Sequence, residues 1–259
     1  MKVYLVSVGR VISELTKARR PHVRELISYF ELCRKSPHRV EQVLSQKPWR
    51  LNLFLDSGAF SAYTRKVRID LDKYIRFVHA YKSELSVYAN LDVIGEPSKS
   101  WENQLEMERQ GLAPLPCFHY GEDVLWLKRY VDRYEYFAFG GMVPLNGEEQ
   151  ARWLDGLMPF VCDAGGNPLR KFHGFGTCGS NLLFRYPWYS ADSTAWMVGG
   201  RWGGILLWWG GQQVTFKVAE RCAERSFVGK HISTLAKAEQ RVVSAMVEVE
   251  GFCLEDLMK

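Results

Sequence analysis

Short apolar runs rich in β-branched and aromatic residues recur along the chain, and stretches with helical spacing separate them. This alternation is typical of parallel strands joined by crossover helices. Eight of the runs are predicted to be strands. They cover residues 2–7, 51–56, 86–92, 115–119, 136–141, 171–174, 188–192 and 205–209. An α/β chain with eight such strands is predicted to fold as a (β/α)8 TIM barrel.

Helical spacing is clearest between the first two predicted strands. Apolar side chains recur there every three or four residues, which predicts a helix with one buried face. The residues of this stripe are Val23, Leu26, Ile27, Phe30 and Cys33.

The same period returns further along the chain. Asp70 is placed to cap a helix that begins at residue 71, and residues 124–131 predict another helix. Apolar positions between residues 232 and 247 predict a long last helix that closes the barrel. No internal repeat or linker interrupts the pattern, and barrels of this type typically need about 250 residues. Residues 1–259 are therefore expected to form one domain.

Composition adds only broad limits. Lys and Arg number 34 against 29 Asp and Glu, and the formal charge of +5 mildly favours a polyanionic partner. No apolar stretch approaches the roughly 18 residues of a membrane span, and the first ten residues lack a secretory apolar region. We expect no membrane partner and a cytoplasmic location. The six cysteines stand far apart without a CxxC pair, which predicts reduced core thiols.

Three aspartates each end a predicted strand: Asp56, Asp92 and Asp192. Active sites of such barrels lie at the carboxyl ends of the strands. For any one of these residues taken alone, a helix cap or a turn residue is the better explanation. Three together, with glycines and histidines at other strand ends, favour a site. Several carboxylates around one cavity suit reactions at an acetal-like carbon, which indicates glycoside or N-glycoside chemistry.

Other strand ends suggest how a flat ligand would be held. Gly140 and Gly141 would let a ring approach bare backbone, although a tight turn explains the pair as well. Phe60 and His173 are candidates to sandwich the ring, and each is also explained by packing against the barrel rim.

These strand-end motifs carry a family resemblance. Residues 56–60, Asp-Ser-Gly-Ala-Phe, resemble the Asp-Ser-Gly-Gly-aromatic motif of the tRNA-guanine transglycosylases. Residues 139–142, Phe-Gly-Gly-Met, resemble that family's Gly-Gly-hydrophobic motif, and residues 173–176, His-Gly-Phe-Gly, are similar to its Met-Gly-x-Gly turn. Asp192 stands where the family carries its nucleophile. No single motif is specific, but their order along the chain matches.

The resemblance implies roles for single residues. Asp192 would attack C1′ of the target nucleoside, expel guanine and form a covalent glycosyl-enzyme ester. Asp56 would hold the incoming base and shuttle its proton, and Asp92 would accept hydrogen bonds from purine N1 and the 2-amino group. The Gly141 amide would meet the O6 edge, and Phe60 would stack on the ring. The remaining base-binding positions implied are Ser57, His119, Gly140, Met142, His173 and Gly174.

Two of these positions depart from the family pattern. His119 falls near the base-reading glutamine, and His173 replaces the stacking methionine. The family's zinc-binding CxCxxC with its later histidine is missing, so no cofactor and no zinc are expected. A compact, zinc-free chain looks more like the phage-type DNA-guanine transglycosylases, the DpdA group. This implies DNA in preference to tRNA as the polymer and a 7-deazaguanine or guanine as the base.

A base inside a duplex must leave the stack before its glycosidic carbon can be reached, so the resemblance implies base flipping. Cations near the barrel rim are candidates to bind phosphates, although a solvated loop explains them equally well. They are Arg65, Lys66 and Arg68 after the second predicted strand, with Arg19 and Arg20 after the first.

Several functions remain open at this level. A tRNA-guanine transglycosylase would use the same residues. A nucleoside or glycoside hydrolase would use the same carboxylates with water as acceptor, and the basic rim argues mildly against it. A non-catalytic nucleic-acid-binding subunit would have no need of an aspartate at position 192. The sequence does not determine the oligomeric state, the sequence context or the base inserted.

Overall fold

A computed structural model describes residues 1–6, 23–36, 38, 40–41, 44, 50–177, 180–193, 203–222, 226, 231–249 and 253–258. The chain divides into two compact units, Met1–Ser193 and Thr194–Lys259. The expectation of a single domain stays a prediction. In the part of the chain that is described, no helix is long and apolar enough to span a bilayer.

The first unit is built on eight parallel strands. They are β1 (Lys2–Val6), β2 (Val23–Ser28), β3 (Arg50–Asp56), β4 (Val87–Tyr88), β5 (Cys117–His119), β6 (Tyr136–Gly140), β7 (Lys171–Gly174) and β8 (Ser190–Ser193). Their order in the sheet is β4-β3-β2-β1-β8-β7-β6-β5. A parallel bridge between Ala89 and Leu115 joins the two outer strands of this order. The predicted (β/α)8 barrel-like fold is confirmed.

Helices follow the strands on the outside. They are α1 (Tyr29–Leu32), α2 (Ala59–Thr64), α3 (Leu71–Tyr81), α4 (Pro97–Arg109), α5 (Val124–Arg133), α6 (Gly147–Val161) and α7 (Ser180–Arg185). Asp70 caps α3 as predicted, since its carboxylate accepts a 2.9 Å hydrogen bond from the Lys73 amide. The amphipathic period therefore identified α3 and α5 correctly.

The segment from Val23 to Ser28 was predicted as helix and is strand β2, which pairs with both β1 and β3. Leu26 packs inside the barrel, whereas its neighbour Ile27 packs outside it. A strand that is buried on both faces carries apolar residues without alternation, and a short run of that kind also fits helical spacing. The prediction was wrong for this reason.

The strand predicted at residues 205–209 exists but is not a barrel strand. It is β9 (Gly204–Trp209), which pairs antiparallel with β10 (Gln212–Lys217) in the second unit. Gly210 and Gly211, both with positive φ, form the two-residue turn between them. A Gly-Gly pair between two apolar runs indicates a β-hairpin. This indication should have been given more weight than the expectation that residues 205–209 form the eighth barrel strand.

The second unit has a core of its own. A 3-10 turn (Ile232–Thr234) precedes α8 (Lys237–Val249) and α9 (Leu254–Met258). Val243 and Val247 of α8 are buried against Phe216 and Val218. The predicted last helix therefore begins at residue 237, and the packing described for it lies within this unit.

Cys33, Cys117, Cys162 and Cys253 are reduced thiols, but the predicted core position is wrong for two of them. Cys33 and Cys253 are exposed, while Cys117 is buried inside the barrel. One layer of buried side chains inside the barrel is mostly apolar, and it lies below the carboxyl ends of the strands. The residues of this layer are Tyr4, Leu26, Phe54, Ala89, Leu115, Cys117 and Ala138.

Candidate active site

On several strands, a polar side chain follows the apolar layer at the next position that faces the barrel interior. Side chains alternate along a strand, so the residue two positions after an interior residue faces the same interior. Ser28 follows Leu26 in this way, Asp56 follows Phe54, and His119 follows Cys117. Asp92 follows β4, and Asp192 lies in β8. A polar layer thus covers the apolar one at the carboxyl ends of the strands.

Asp192 is almost buried and held through one oxygen. Its Oδ1 accepts hydrogen bonds from His173 Nε2 at 3.0 Å and from the Gly176 amide at 3.2 Å. Among the described residues, Oδ2 has no hydrogen-bond partner. The carboxylate is therefore fixed in orientation while one oxygen stays available to a ligand.

His173 lies below the rim rather than on it. Its ring has no exposed surface and packs against Phe54 and Phe175 at centroid distances of 4.8 and 4.5 Å. The expected stacking of His173 on a ligand ring does not fit this burial. His173 Nε2 instead contacts Asp192 Oδ1 at 3.0 Å and positions that carboxylate.

A hydrogen-bond chain extends from His173 through the barrel. Its Nδ1 lies 2.7 Å from Ser190 Oγ, which in turn lies 2.6 Å from the Tyr136 hydroxyl. When Nε2–H donates to the Asp192 carboxylate, Nδ1 can accept from the Ser190 hydroxyl. The chain fixes the ring orientation and thereby the position of the carboxylate.

Asp56 is the last residue of β3, and the pKa of its carboxyl group is raised. Burial raises the pKa of Asp56 to about 7, and repulsion from the Asp192 and Asp92 carboxylates adds to the shift. A hydrogen bond from the Gly58 amide to Oδ2, at 3.1 Å, opposes it in part. Near neutral pH, Asp56 thus exchanges a proton readily beside Asp192.

Gly58 makes the turn after Asp56 possible. Its φ is +77°, and a Cβ at this position would lie 2.5 Å from both Phe30 Cβ and Ser28 Oγ. Only glycine fits this backbone and this space. Ser57 is buried, and its hydroxyl accepts a 3.4 Å hydrogen bond from the Ala59 amide. Phe60 is partly exposed on α2 and is available to a ligand ring.

Asp92 and His119 lie side by side. His119 Nε2 is 3.5 Å from Asp92 Oδ2, and its Nδ1 is 3.3 Å from Glu122 Oε1. Asn90 Nδ2 contacts Asp92 Oδ1 at 3.4 Å. Burial raises the pKa of Asp92, and the neighbouring His119 opposes the shift.

The strand-end glycines leave little space for a side chain. A Cβ on Gly140 would lie 2.7 Å from Cys117 Sγ, and one on Gly141, whose φ is +73°, would lie 3.1 Å from the Tyr120 amide nitrogen. A Cβ on Gly174 would meet Thr177 Oγ1 at 2.3 Å. Close packing therefore accounts for all three glycines. The Met142 side chain is buried in the core, so only its backbone is left to contact a ligand.

The geometry brings three of the predicted acidic residues into one electrostatic group. A scan against protein-family models finds no match for the chain, and a search of curated proteins finds none either. The chemistry of the site is therefore argued from its own residues. Two carboxylates with different surroundings, one fixed by donors and one easily protonated, suit a nucleophile and a proton donor.

The predicted phosphate-binding loop is exposed and partly neutralised. Arg65 forms a 3.0 Å ion pair with Glu31, and its guanidinium lies 5.5 Å from the Phe30 ring centroid. Lys66 and Arg68 are exposed. The other predicted cations, Arg19 and Arg20, lie outside the described residues.

Some residues of this site were missed in the sequence. Ser28 was overlooked because β2 was predicted as helix, and its buried hydroxyl has no hydrogen-bond partner among the described residues. Glu122, which binds His119, lies in a turn after β5. Ser190 was detectable, since it lies two residues before Asp192 and must share its face of β8.

Proposed function

We propose that the chain is a guanine transglycosylase that exchanges guanine in a nucleic acid, with DNA preferred, for a 7-deazaguanine base. The observation that carries the proposal is the coupling of Asp56 to Asp192 and Asp92, in which repulsion helps to raise the pKa of Asp56 to about 7. Glycosyl transfer with retention needs one carboxylate as nucleophile and another as acid and base. The difference in surroundings assigns these roles.

In the first step, Asp192 Oδ2 attacks C1′ of the flipped nucleotide. The bond from C1′ to the base breaks, its electron pair leaves with guanine, and the proton of Asp56 neutralises the leaving base. His173 and the Gly176 amide hold the other Asp192 oxygen during the attack. The product is an ester between Asp192 and the sugar, together with free guanine.

In the second step, the incoming base gives its proton to ionised Asp56 and attacks C1′. The ester bond breaks, and its electron pair returns to the Asp192 carboxylate. Asp56 is protonated again, so the cycle consumes no other acid or base. Two displacements retain the configuration at C1′.

The neighbouring residues supply recognition in this proposal. Asp92 accepts hydrogen bonds from the N1 and 2-amino side of the purine, and the Gly141 backbone meets O6. Phe60, exposed next to Asp56, stacks on the ring. The exposed Arg65, Lys66 and Arg68 contact phosphates beside the flipped nucleotide.

Incubation of the purified chain with labelled guanine and either duplex DNA or tRNA tests this function. We expect the label to enter the DNA without any nucleoside triphosphate and to remain after the polymer is purified again. Labelled adenine is the matched control and should not be incorporated, because it lacks the O6 and 2-amino groups. Loss of bases without incorporation would identify a hydrolase and overturn the proposal. Incorporation into tRNA but not into DNA would show that tRNA is the preferred polymer.

A further inference from the structure

Three side chains with metal-binding atoms meet at the ends of β4 and β5. A carboxylate oxygen of Asp92, the Cys117 sulfur and a ring nitrogen of His119 all lie within 4.8 Å of one another. A parallel bridge between Ala89, directly after β4, and Leu115, two residues before β5, holds these two segments side by side. Cys117 and His119 are two residues apart on β5 and so face the same side.

The separations suit a tetrahedral zinc ion. Zinc bonds of about 2.0–2.3 Å place two ligand atoms roughly 3.3–3.7 Å apart. The distance from His119 Nε2 to Asp92 Oδ2 is 3.5 Å, which falls in that interval. The remaining ligand atoms need small rotations to close on the ion. One thiolate, one imidazole and one carboxylate form a donor set that suits zinc, whereas magnesium and calcium prefer oxygen donors alone.

The surroundings orient the ligands toward one point. Glu122 contacts His119 twice, because one oxygen lies 3.3 Å from Nδ1 and the other accepts from the His119 amide at 3.2 Å. A carboxylate on Nδ1 is the usual support for a histidine that binds a metal through Nε2. Asn90 contacts Asp92 on Oδ1, on the side away from His119.

Space at the cluster depends on a glycine. A Cβ on Gly140 would approach Cys117 Sγ to 2.7 Å and His119 Cδ2 to 3.2 Å. The thiol lies 3.9 Å from the Phe118 carbonyl oxygen and is hydrogen-bonded to the His119 ring. The buried Cys117 sulfur is thus within reach of both the imidazole and the Asp92 carboxylate.

We propose that Asp92, Cys117 and His119 bind one zinc ion and leave its fourth position for water or a substrate atom. Binding displaces the Cys117 proton and any proton on His119 Nε2 to solvent, so the thiolate and the Asp92 carboxylate together balance the two charges of the ion. Coordination through Asp92 Oδ2 leaves Oδ1 for a purine. The proposal is an alternative to the expectation that no metal is bound, and it does not depend on base exchange.

Metal binding is tested on the full chain after chelator treatment and dialysis. We expect about one zinc per chain by elemental mass spectrometry, and cobalt should give the charge-transfer absorption of a cobalt–thiolate bond. Cys117→Ala should abolish that absorption, and Glu122→Gln should weaken metal affinity by about 10- to 100-fold. Cys33→Ser, which removes an exposed thiol directly after α1, is the matched control and should bind as the wild type does.

Two results would overturn the zinc site: no stoichiometric metal in the folded wild-type chain, or unchanged binding and absorption in Cys117→Ala. Circular dichroism shows whether each variant is folded, and Glu122→Gln tests the site without removing a ligand. Asp192→Asn should bind zinc normally. A failed exchange assay therefore leaves the metal result standing, and the reverse is also true.

Discussion

The Asp192→Asn variant is expected to lose base exchange by at least about 10³-fold while it still binds nucleic acid. The asparagine oxygen can accept the same hydrogen bonds from His173 and the Gly176 amide, so the position of the side chain is kept. An amide is not a nucleophile toward C1′, and no ester can form. The loss is thus chemical rather than structural.

Two measurements separate this effect from misfolding. Denaturing electrophoresis or intact-protein mass spectrometry should detect a glycosyl adduct in the wild-type chain and none in Asp192→Asn. Binding to the same DNA should differ little between them. Asp132→Asn, an exposed aspartate on α5, is the matched control and should exchange bases normally. Undiminished turnover in Asp192→Asn would refute the assignment of the nucleophile.

The Asp56→Asn variant is expected to lose about 10²- to 10⁴-fold in exchange rate, the usual contribution of a proton-transfer group. Asparagine still accepts the hydrogen bond from the Gly58 amide, so the turn after β3 is kept. In the wild type, kcat/KM should fall as the pH rises through about 7, because the ionised Asp56 cannot protonate the leaving base. Steady-state rates between pH 5 and pH 9 measure both effects.

The Asp56→Asn substitution should increase stability at high pH although it lowers activity. The pKa of Asp56 is raised in the folded chain, so the folded state binds this proton more tightly than the unfolded state does. The stabilising contribution is complete below the pKa of the unfolded chain and is lost as pH rises through about 7. Thermal unfolding should therefore show that Asp56→Asn is more stable than the wild type at pH 8. Equal or lower stability there would contradict the burial of this charge.

The barrel and its acidic strand ends were accessible to sequence reasoning because strand ends in a parallel barrel meet at one edge. Asp56 and Asp192 needed only the prediction of β3 and β8 to be placed at that edge. The sequence predicted β2 as a helix and β9 as the eighth barrel strand. These two errors did not affect the placement of the aspartates, because neither strand carries one of them. Element identity in short apolar runs was the weak point, because β2 is buried on both faces.

The inner arrangement of the site was less predictable. The sequence left open whether His173 stacks on a ligand ring or packs against the barrel rim. Its burial depends on the same alternation that places Ser190 below Asp192. Cys117 was taken as a core thiol, and its proximity to Asp92 depends on contacts between β4 and β5. Such contacts join residues distant in sequence, and one sequence carries no direct signal for them.

Asp56, Asp92 and Asp192 lie at one end of the barrel, and the apparent pKa of Asp56 tests this arrangement most directly. Carbon-13 NMR of carboxyl-labelled aspartates can follow Asp56 in the wild type and in Asp192→Asn. We expect the pKa of Asp56 to be about 7 in the wild type and lower in Asp192→Asn, because the repulsion from the Asp192 carboxylate is removed. An ordinary carboxyl pKa in the wild type, unchanged by the substitution, would contradict it.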